Sequence, residues 1–347
     1  MLSRVASSVY WTARYIERAE NTARWVDVNL QMSLDAPIAF SDQWQPLVAI
    51  TGELPAFLDR YEFATRERVL QFLTTDPQHP NSILSCLTQA RENARSVREV
   101  ISSEMWEQIN HFYLLVSGHA ASPSASVDSH EFFDQVKLLS HLVSGVADNT
   151  MSHGEAWHFF QLGRVLERAD NTSRLLDMKY FLLLPSVELV GGPVDEMQWS
   201  ILLRSASAFE MYRKRYGRMS PEQVVDFLLL DTEFPRAILF CVIQADESVR
   251  IISGSSPGTF RNVAGRQLGR LRSELAYEQA SEIIASGLHE FCDSFQGRLN
   301  EVGDAIAETF FTQQPVAGVT STTTMEGRSA GDVLFGYQRQ GRAGGDS

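Results

Sequence analysis

Residues 14–27 read RYIERAENTARWVD, and residues 164–177 read RVLERADNTSRLLD. Eight of these fourteen positions are identical at an offset of 150. On a helix at about 100° per residue, Arg14, Glu17, Asn21 and Arg24 fall within about 80° of one another. Arg164, Glu167, Asn171 and Arg174 repeat that stripe. Ile16, Ala19, Ala23 and Val26 lie on the opposite face, as do Leu166, Ala169, Ser173 and Leu176. A helix with apolar contacts on both sides of a charged stripe belongs in the middle of a bundle, and its small residues permit close packing. The Asn-Thr pair kept in both copies consists of weak helix formers, which argues against a merely solvated face.

A second pair of blocks follows in the same order. Residues 80–97, PNSILSCLTQARENARSV, match residues 235–252, PRAILFCVIQADESVRII, at eight of eighteen positions and an offset of 155. Trp44/Trp199, Tyr61/Tyr216, Phe72/Phe227 and Asp76/Asp231 keep the same offset. We read an all-α, multi-helix bundle built from two tandem pseudo-symmetric repeats, about 1–150 and 151–312. Ser220-Pro221-Glu222-Gln223 is a helix start with Ser at the N-cap and Pro in the first turn; Thr65 is its partner in the first copy. Segment 117–130 reads as a polar linker. Residues 313–347, rich in Gly, Ser, Thr and Gln, read as a disordered tail.

Composition narrows the function. Of 347 residues, 43 are acidic and 30 basic, a formal charge of -13, which is a poor electrostatic footprint for nucleic acid. There is no uninterrupted apolar run of about 18 residues, so no membrane span is expected. The opening residues turn polar and amphipathic at once, unlike a secretory signal. Three cysteines without a CxxC do not make a disulfide framework, so the expected compartment is the cytoplasm. Only three of the 30 basic residues are lysine; the arginines supply planar forks suited to carboxylate or phosphate.

The stripes carry the candidate site: Arg14, Glu17, Arg18, Asn21 and Arg24 with Arg164, Glu167, Arg168, Asn171 and Arg174. Three roles are open to them. They can form a buried ion network joining the copies, hold an anionic or peptide-like ligand through Arg forks and Asn amides, or pair along each helix in solvent. Glu17 and Glu167 are the candidates for acid–base catalysis if they approach and one has a raised pKa; the flanking arginines oppose that shift. The Glu-x-x-His spacing of di-iron bundles is absent from both motif helices, and His153 and His158 have no counterpart in the first copy. No metal and no cofactor is expected, since HExxH, Walker A, GxSxG and dinucleotide-binding signatures are missing. Gln89, Glu92 and Arg95, matched by Gln244, Glu247 and Arg250, read as the polar edge of a core helix, with Cys86 and Cys241 as small buried hydrophobes.

In these motifs the chain resembles the alpha-E family. LSRVASSVYWTARYIERAENTAR looks like that family's opening, SHGEAWHFFQLGRVLERADNTSRLL like its central signature, and PGTFRNVAGRQLGRLRSELAYE like its late segment. The resemblance covers about residues 1–312. It implies an all-helical domain with its eponymous glutamates at Glu17 and Glu167; His158 departs from the arginine expected after the tryptophan. It also implies partners, a circularly permuted ATP-grasp ligase and a transglutaminase-like peptidase, and so an accessory role in peptide synthesis or modification. The alternatives are an enzyme that forms or cleaves amide bonds using Glu17 and Glu167, and a purely structural scaffold.

Overall fold

The computed structural model describes residues 1–35, 44–122, 130–181 and 192–312. The first motif lies in α1 (Ser3–Asp35) and the second in α8 (Glu155–Phe181). At 33 residues, α1 is about 50 Å long. It is buried on almost every side between Val5 and Leu30, as expected of a helix at a bundle centre.

Helices α1 and α8 run side by side in the same direction. The N-terminal ammonium meets Glu155 at 2.7 Å, and about four and five turns farther along α1 Arg14 and Arg18 meet Glu167. Close approach is possible because position 163 is glycine. A Cβ built there would lie 2.3 Å from the Tyr10 carbonyl oxygen and 3.3 Å from the Ala13 Cβ. Ala13 is the residue matched to Gly163 at the offset of 150.

Around this pair the remaining helices wrap in matched order. The first half supplies α2 (Gln45–Ile50), α3 (Leu54–Arg60), α4 (Arg66–Thr74), α5 (Ile83–Arg95), α6 (Ser103–Ala121) and α7 (His130–Thr150). The second supplies α9 (Pro193–Ser205), α10 (Phe209–Tyr216), α11 (Pro221–Leu229), α12 (Ile238–Ser253), α13 (Val263–Tyr277), a short α14 (Ala280–Ser286) and α15 (Leu288–Ile306), which ends in a π-helical turn at Ala307–Phe311. Helix α1 packs on α5 and α7, and α8 packs on α12 and α15. Met1–Thr312 closes into one compact unit. Among the described residues there is no strand, and no helix is long and apolar enough to cross a membrane.

Residues matched at the offset of 155 occupy matched surroundings. Arg60 pairs with Asp76, and Arg215 with Asp231. Asp76 then accepts from the Gln78 amide at 2.8 Å, and Asp231 from the Glu233 amide at 2.7 Å. The Phe57–Tyr61 and Tyr212–Tyr216 ring pairs are both 5.0 Å apart. Tyr61 meets Phe72 edge-on at 6.3 Å, as Tyr216 meets Phe227 at 6.1 Å. Such pairs set the orientation of aromatic cores.

Two local expectations differ from the structure. Ser220 does precede α11, but its hydroxyl makes no capping bond; its amide instead donates to the Tyr212 hydroxyl at 3.0 Å, and Pro221 starts the helix. Thr65, in contrast, accepts from the Arg68 amide as a cap should. Helix α6 continues to Ala121, taking in the front of the segment read as a linker. Residues 123–129 and the tail from 313 lie outside the described residues.

Candidate functional site

The two stripes meet. On α1 the Glu17 carboxylate accepts two parallel bonds from Arg168 of α8, at 2.7 Å from Nε and 2.9 Å from Nη2. On α8 the Glu167 carboxylate accepts the same fork from Arg18 of α1, at 2.6 and 3.0 Å. The Glu-Arg dipeptides are therefore exchanged: each helix supplies the glutamate for the other's arginine. Two bidentate forks related in this way fix both the distance and the register of the helices.

Each glutamate also has a second arginine, and here the copies differ. Glu167 accepts from Arg14 Nε at 2.7 Å. The counterpart of Arg14 is Arg164, but Glu17 takes Arg236 of the α12 approach, at 3.6 Å. Arg236 donates also to Asn21 Oδ1 at 3.0 Å and to Glu20 Oε2 at 2.9 Å. Its own counterpart is Asn81, which accepts from Arg18 Nη1 at 2.5 Å. Arg164 bonds only to Gln161 on its own helix, its Nε is buried without a partner, and it makes no ion pair among the described residues. Asn21 donates to the Glu17 carbonyl at 2.7 Å, whereas the matched Asn171 Nδ2 is buried and unpartnered. Arg24 and Arg174 stay on their own helices, bonded to Glu20 and Asp170.

The electrostatics follow from this pairing. Burial raises the cost of charge on Glu167, but Arg18 and Arg14 outweigh it and hold its carboxyl at about 2. Burial likewise opposes charge on Glu17, and Arg168 and Arg236 hold it below the ordinary value. Glu20, buried between Arg236 and Arg24, is held well below it. All three are carboxylates at neutral pH, with no proton to donate and little basicity. Arg164 goes the other way: burial and the neighbouring Arg168 push it below the usual guanidinium range.

Two contrasts can be tested directly. Arg14→Met removes one of two partners of a buried carboxylate and is expected to cost about 3 kcal/mol, the low end for breaking a buried pair because Arg18 still holds Glu167. Arg164→Met removes a desolvated cation that no carboxylate repays, and is expected to cost under about 1 kcal/mol or to stabilise. Urea unfolding of the two variants separates them. Cys86 and Cys241 lie beneath the forks, within electrostatic reach of Arg18 and Arg168, and burial pushes both thiols up to about 12. They are expected to resist iodoacetamide in the native protein at pH 8 and to react on unfolding, which mass spectrometry reads.

Reasoning from repeats missed two features. Arg236 completes the network but is not repeated, so a search for identities passes over it. The second lies at the ends of the motif helices: Asp27 meets His130 Nδ1 at 2.5 Å, and Asp177 meets His289 Nδ1 at 2.5 Å. The signal was a third block, HEFFDQVK at 130–137 against HEFCDSFQ at 289–296. Among the described residues, Asp27, His130 and Asp134 offer atoms within 4.8 Å of one another, a spacing that could hold a metal ion. The Lys137 ammonium stands 2.7 Å from an oxygen of each carboxylate. The cluster therefore already carries its own cation.

Comparison with known proteins agrees with the geometry. The chain is 26% identical over 332 residues to an uncharacterised protein of Mycobacterium bovis, covering 88% of this chain and 36% of that one. An uncharacterised protein of Mycobacterium tuberculosis is 25% identical over the same length and the same shares. The chain thus spans about a third of the length of the curated relatives it matches. No solved structure matches it. The profile of the Alpha-E family, described as a predicted alpha-helical domain with a conserved ER motif, matches residues 1–311. Glu17-Arg18 and Glu167-Arg168 are two such dipeptides, and the chain belongs to the Alpha-E family.

Proposed function

We propose that this chain is a non-catalytic, cytoplasmic partner module that serves an ATP-grasp ligase in a system that makes or modifies peptides. The observation that carries the non-catalytic part is the exchanged fork. Glu17 and Glu167 are buried, ionised and each paired with two arginines, which leaves neither with a proton to donate nor with the basicity that an acid–base pair would need. The stripe then holds the two halves together. Three buried free cysteines are in keeping with a reducing compartment. The partner role is supported by the mycobacterial relatives, in which the matching segment is joined to a much longer remainder. A segment tethered to a companion in one chain can meet it by association in another. The ligase, and a transglutaminase-like peptidase beside it, are the companions that the family resemblance suggests.

The test is co-purification with the ligase and measurement of its turnover with and without the chain. The proposal expects both binding and altered turnover; failure of both overturns it. Glu17→Gln and Glu167→Gln test the enzyme alternative, which requires lost turnover with the melting temperature unchanged. A second reading keeps the stripe as a site for a peptide-like ligand, and Arg164 favours it: a ligand carboxylate there would supply what Glu167 supplies to Arg14. On that reading Arg164→Met abolishes ligand binding while the fold is kept.

A further inference from the structure

Helix α13 carries a face that the core does not use. At about 100° per residue, Val263, Arg266, Arg270, Glu274 and Tyr277 fall within about 80° of one another. All are exposed, Tyr277 at 88%. Val263, at its N-terminal end, is 43% exposed. The strip is about 21 Å long at 1.5 Å per residue, with an apolar or aromatic residue at each end and two arginines in the middle.

Those arginines stand one turn apart, where like charges repel. Neither makes an ion pair among the described residues, although acidic residues outnumber basic ones 43 to 30. Together with Arg298 of α15 they line a cavity of about 320 Å³ between α13 and α15. Arg298 is taken by Glu274. Glu301 completes the charged lining, and Gln267 Oε1 is buried there without a donor. The opposite side of the helix is different: Arg272 is paired with Asp246 at 2.9 Å. Arginine and aromatic residues are the types enriched where protein surfaces meet.

We propose that the exposed strip of α13, with Arg266 and Arg270 at its centre and Val263 and Tyr277 at its ends, is the docking surface for a carboxylate-bearing segment of a partner protein. Acidic side chains of the segment enter the cavity and bind the two guanidinium forks. Apolar side chains on either side of them cover Val263 and Tyr277. The inference deepens the partner reading and rests on it for the class of occupant. The surface itself can be tested without the ligase.

The probe is a synthetic 16-residue peptide with glutamates at its centre and a phenylalanine near each end, beside the same peptide with glutamine for glutamate. Titration calorimetry on the full chain is expected to show binding of the first at least about tenfold tighter than the second, weakening as salt rises. Arg266→Ala with Arg270→Ala is expected to remove at least about tenfold of that affinity, and Tyr277→Ala about threefold, with melting temperatures unchanged because all three side chains are exposed. Arg272→Ala is expected to leave binding as it was. Equal binding of the two peptides, no binding, or an equal loss with Arg272→Ala overturns the surface. So does saturation of the arginines by inorganic phosphate alone with the peptide unable to compete. Peptide binding without ligase binding would overturn the choice of companion and keep the surface; the reverse would overturn the surface and keep the companion.

Discussion

Glu167→Gln is expected to lower the free energy of unfolding by about 3–5 kcal/mol, the cost of leaving buried charge without its counter-ion. Glu167 is 1% exposed and accepts from both Arg14 and Arg18. A neutral amide in its place leaves two guanidiniums desolvated with no carboxylate bonded to either. Glu17→Gln strands one guanidinium fully, that of Arg168, because Arg236 keeps its bond to Glu20. Its cost is therefore smaller. In urea the midpoint falls while the slope stays constant, since the surface exposed on unfolding does not change. The same carboxylate sets a pH dependence. Its folded pKa of about 2 lies below the ordinary 4.5. A depressed pKa means that the unfolded chain binds the proton more readily. The stability from Glu167 is thus complete above about pH 4.5 and is lost as the pH falls toward 2. Wild type is expected to lose stability through that window, and Glu167→Gln to lose correspondingly less.

Gly163→Ala is expected to destabilise the protein although alanine is the better helix former by about 1 kcal/mol. The added methyl would sit 2.3 Å from a backbone oxygen of α1. A carbonyl cannot swing aside as a side chain can, so the helices must part. The overpacking costs about 1–3 kcal/mol directly, and separation also lengthens the two forks, whose geometry depends on the spacing. Gly269→Ala in α13 is the internal control. A methyl there meets nothing within 4 Å, so only the propensity gain remains and the variant is expected to stabilise by up to about 1 kcal/mol. Thermal unfolding of the two variants side by side separates helix propensity from close approach.

Much of the central architecture is legible in residues 14–27 and 164–177. Stripe spacing places Arg14, Glu17, Arg164 and Glu167 on matching faces, and the alanines opposite them mark helices that pack on both sides. The cost of burying so many charges on two central helices without partners favours stripes that face each other, one of the three roles the spacing leaves open. What repeats cannot reveal is where the copies diverge. Asn81 and Arg236 occupy the same place in their blocks, and that one difference redirects the network. Arg236 reaches Glu17, Glu20 and Asn21, and Arg164 loses the role that Arg14 keeps. Such long-range choices depend on which side chain the fold places within reach of a shared carboxylate, a fact of tertiary geometry and not of spacing. The Asp27–His130 and Asp177–His289 contacts were within reach of sequence reading, but their block is only eight residues long and half identical. Ser220 shows the opposite case, a good local signal whose hydroxyl makes no cap bond while the Tyr212 hydroxyl holds its backbone amide.

Glutamate–arginine pairs exchanged between the two halves lock α1 to α8, and double-mutant cycles test this most directly. Four single variants, Glu17→Gln, Arg18→Met, Glu167→Gln and Arg168→Met, are combined in pairs and their unfolding free energies measured. The expected result is coupling of at least about 1 kcal/mol for Glu17 with Arg168 and for Glu167 with Arg18, and markedly less for the sequence neighbours Glu17 with Arg18 and Glu167 with Arg168. Coupling confined to the neighbours, or additivity in every pair, would contradict it.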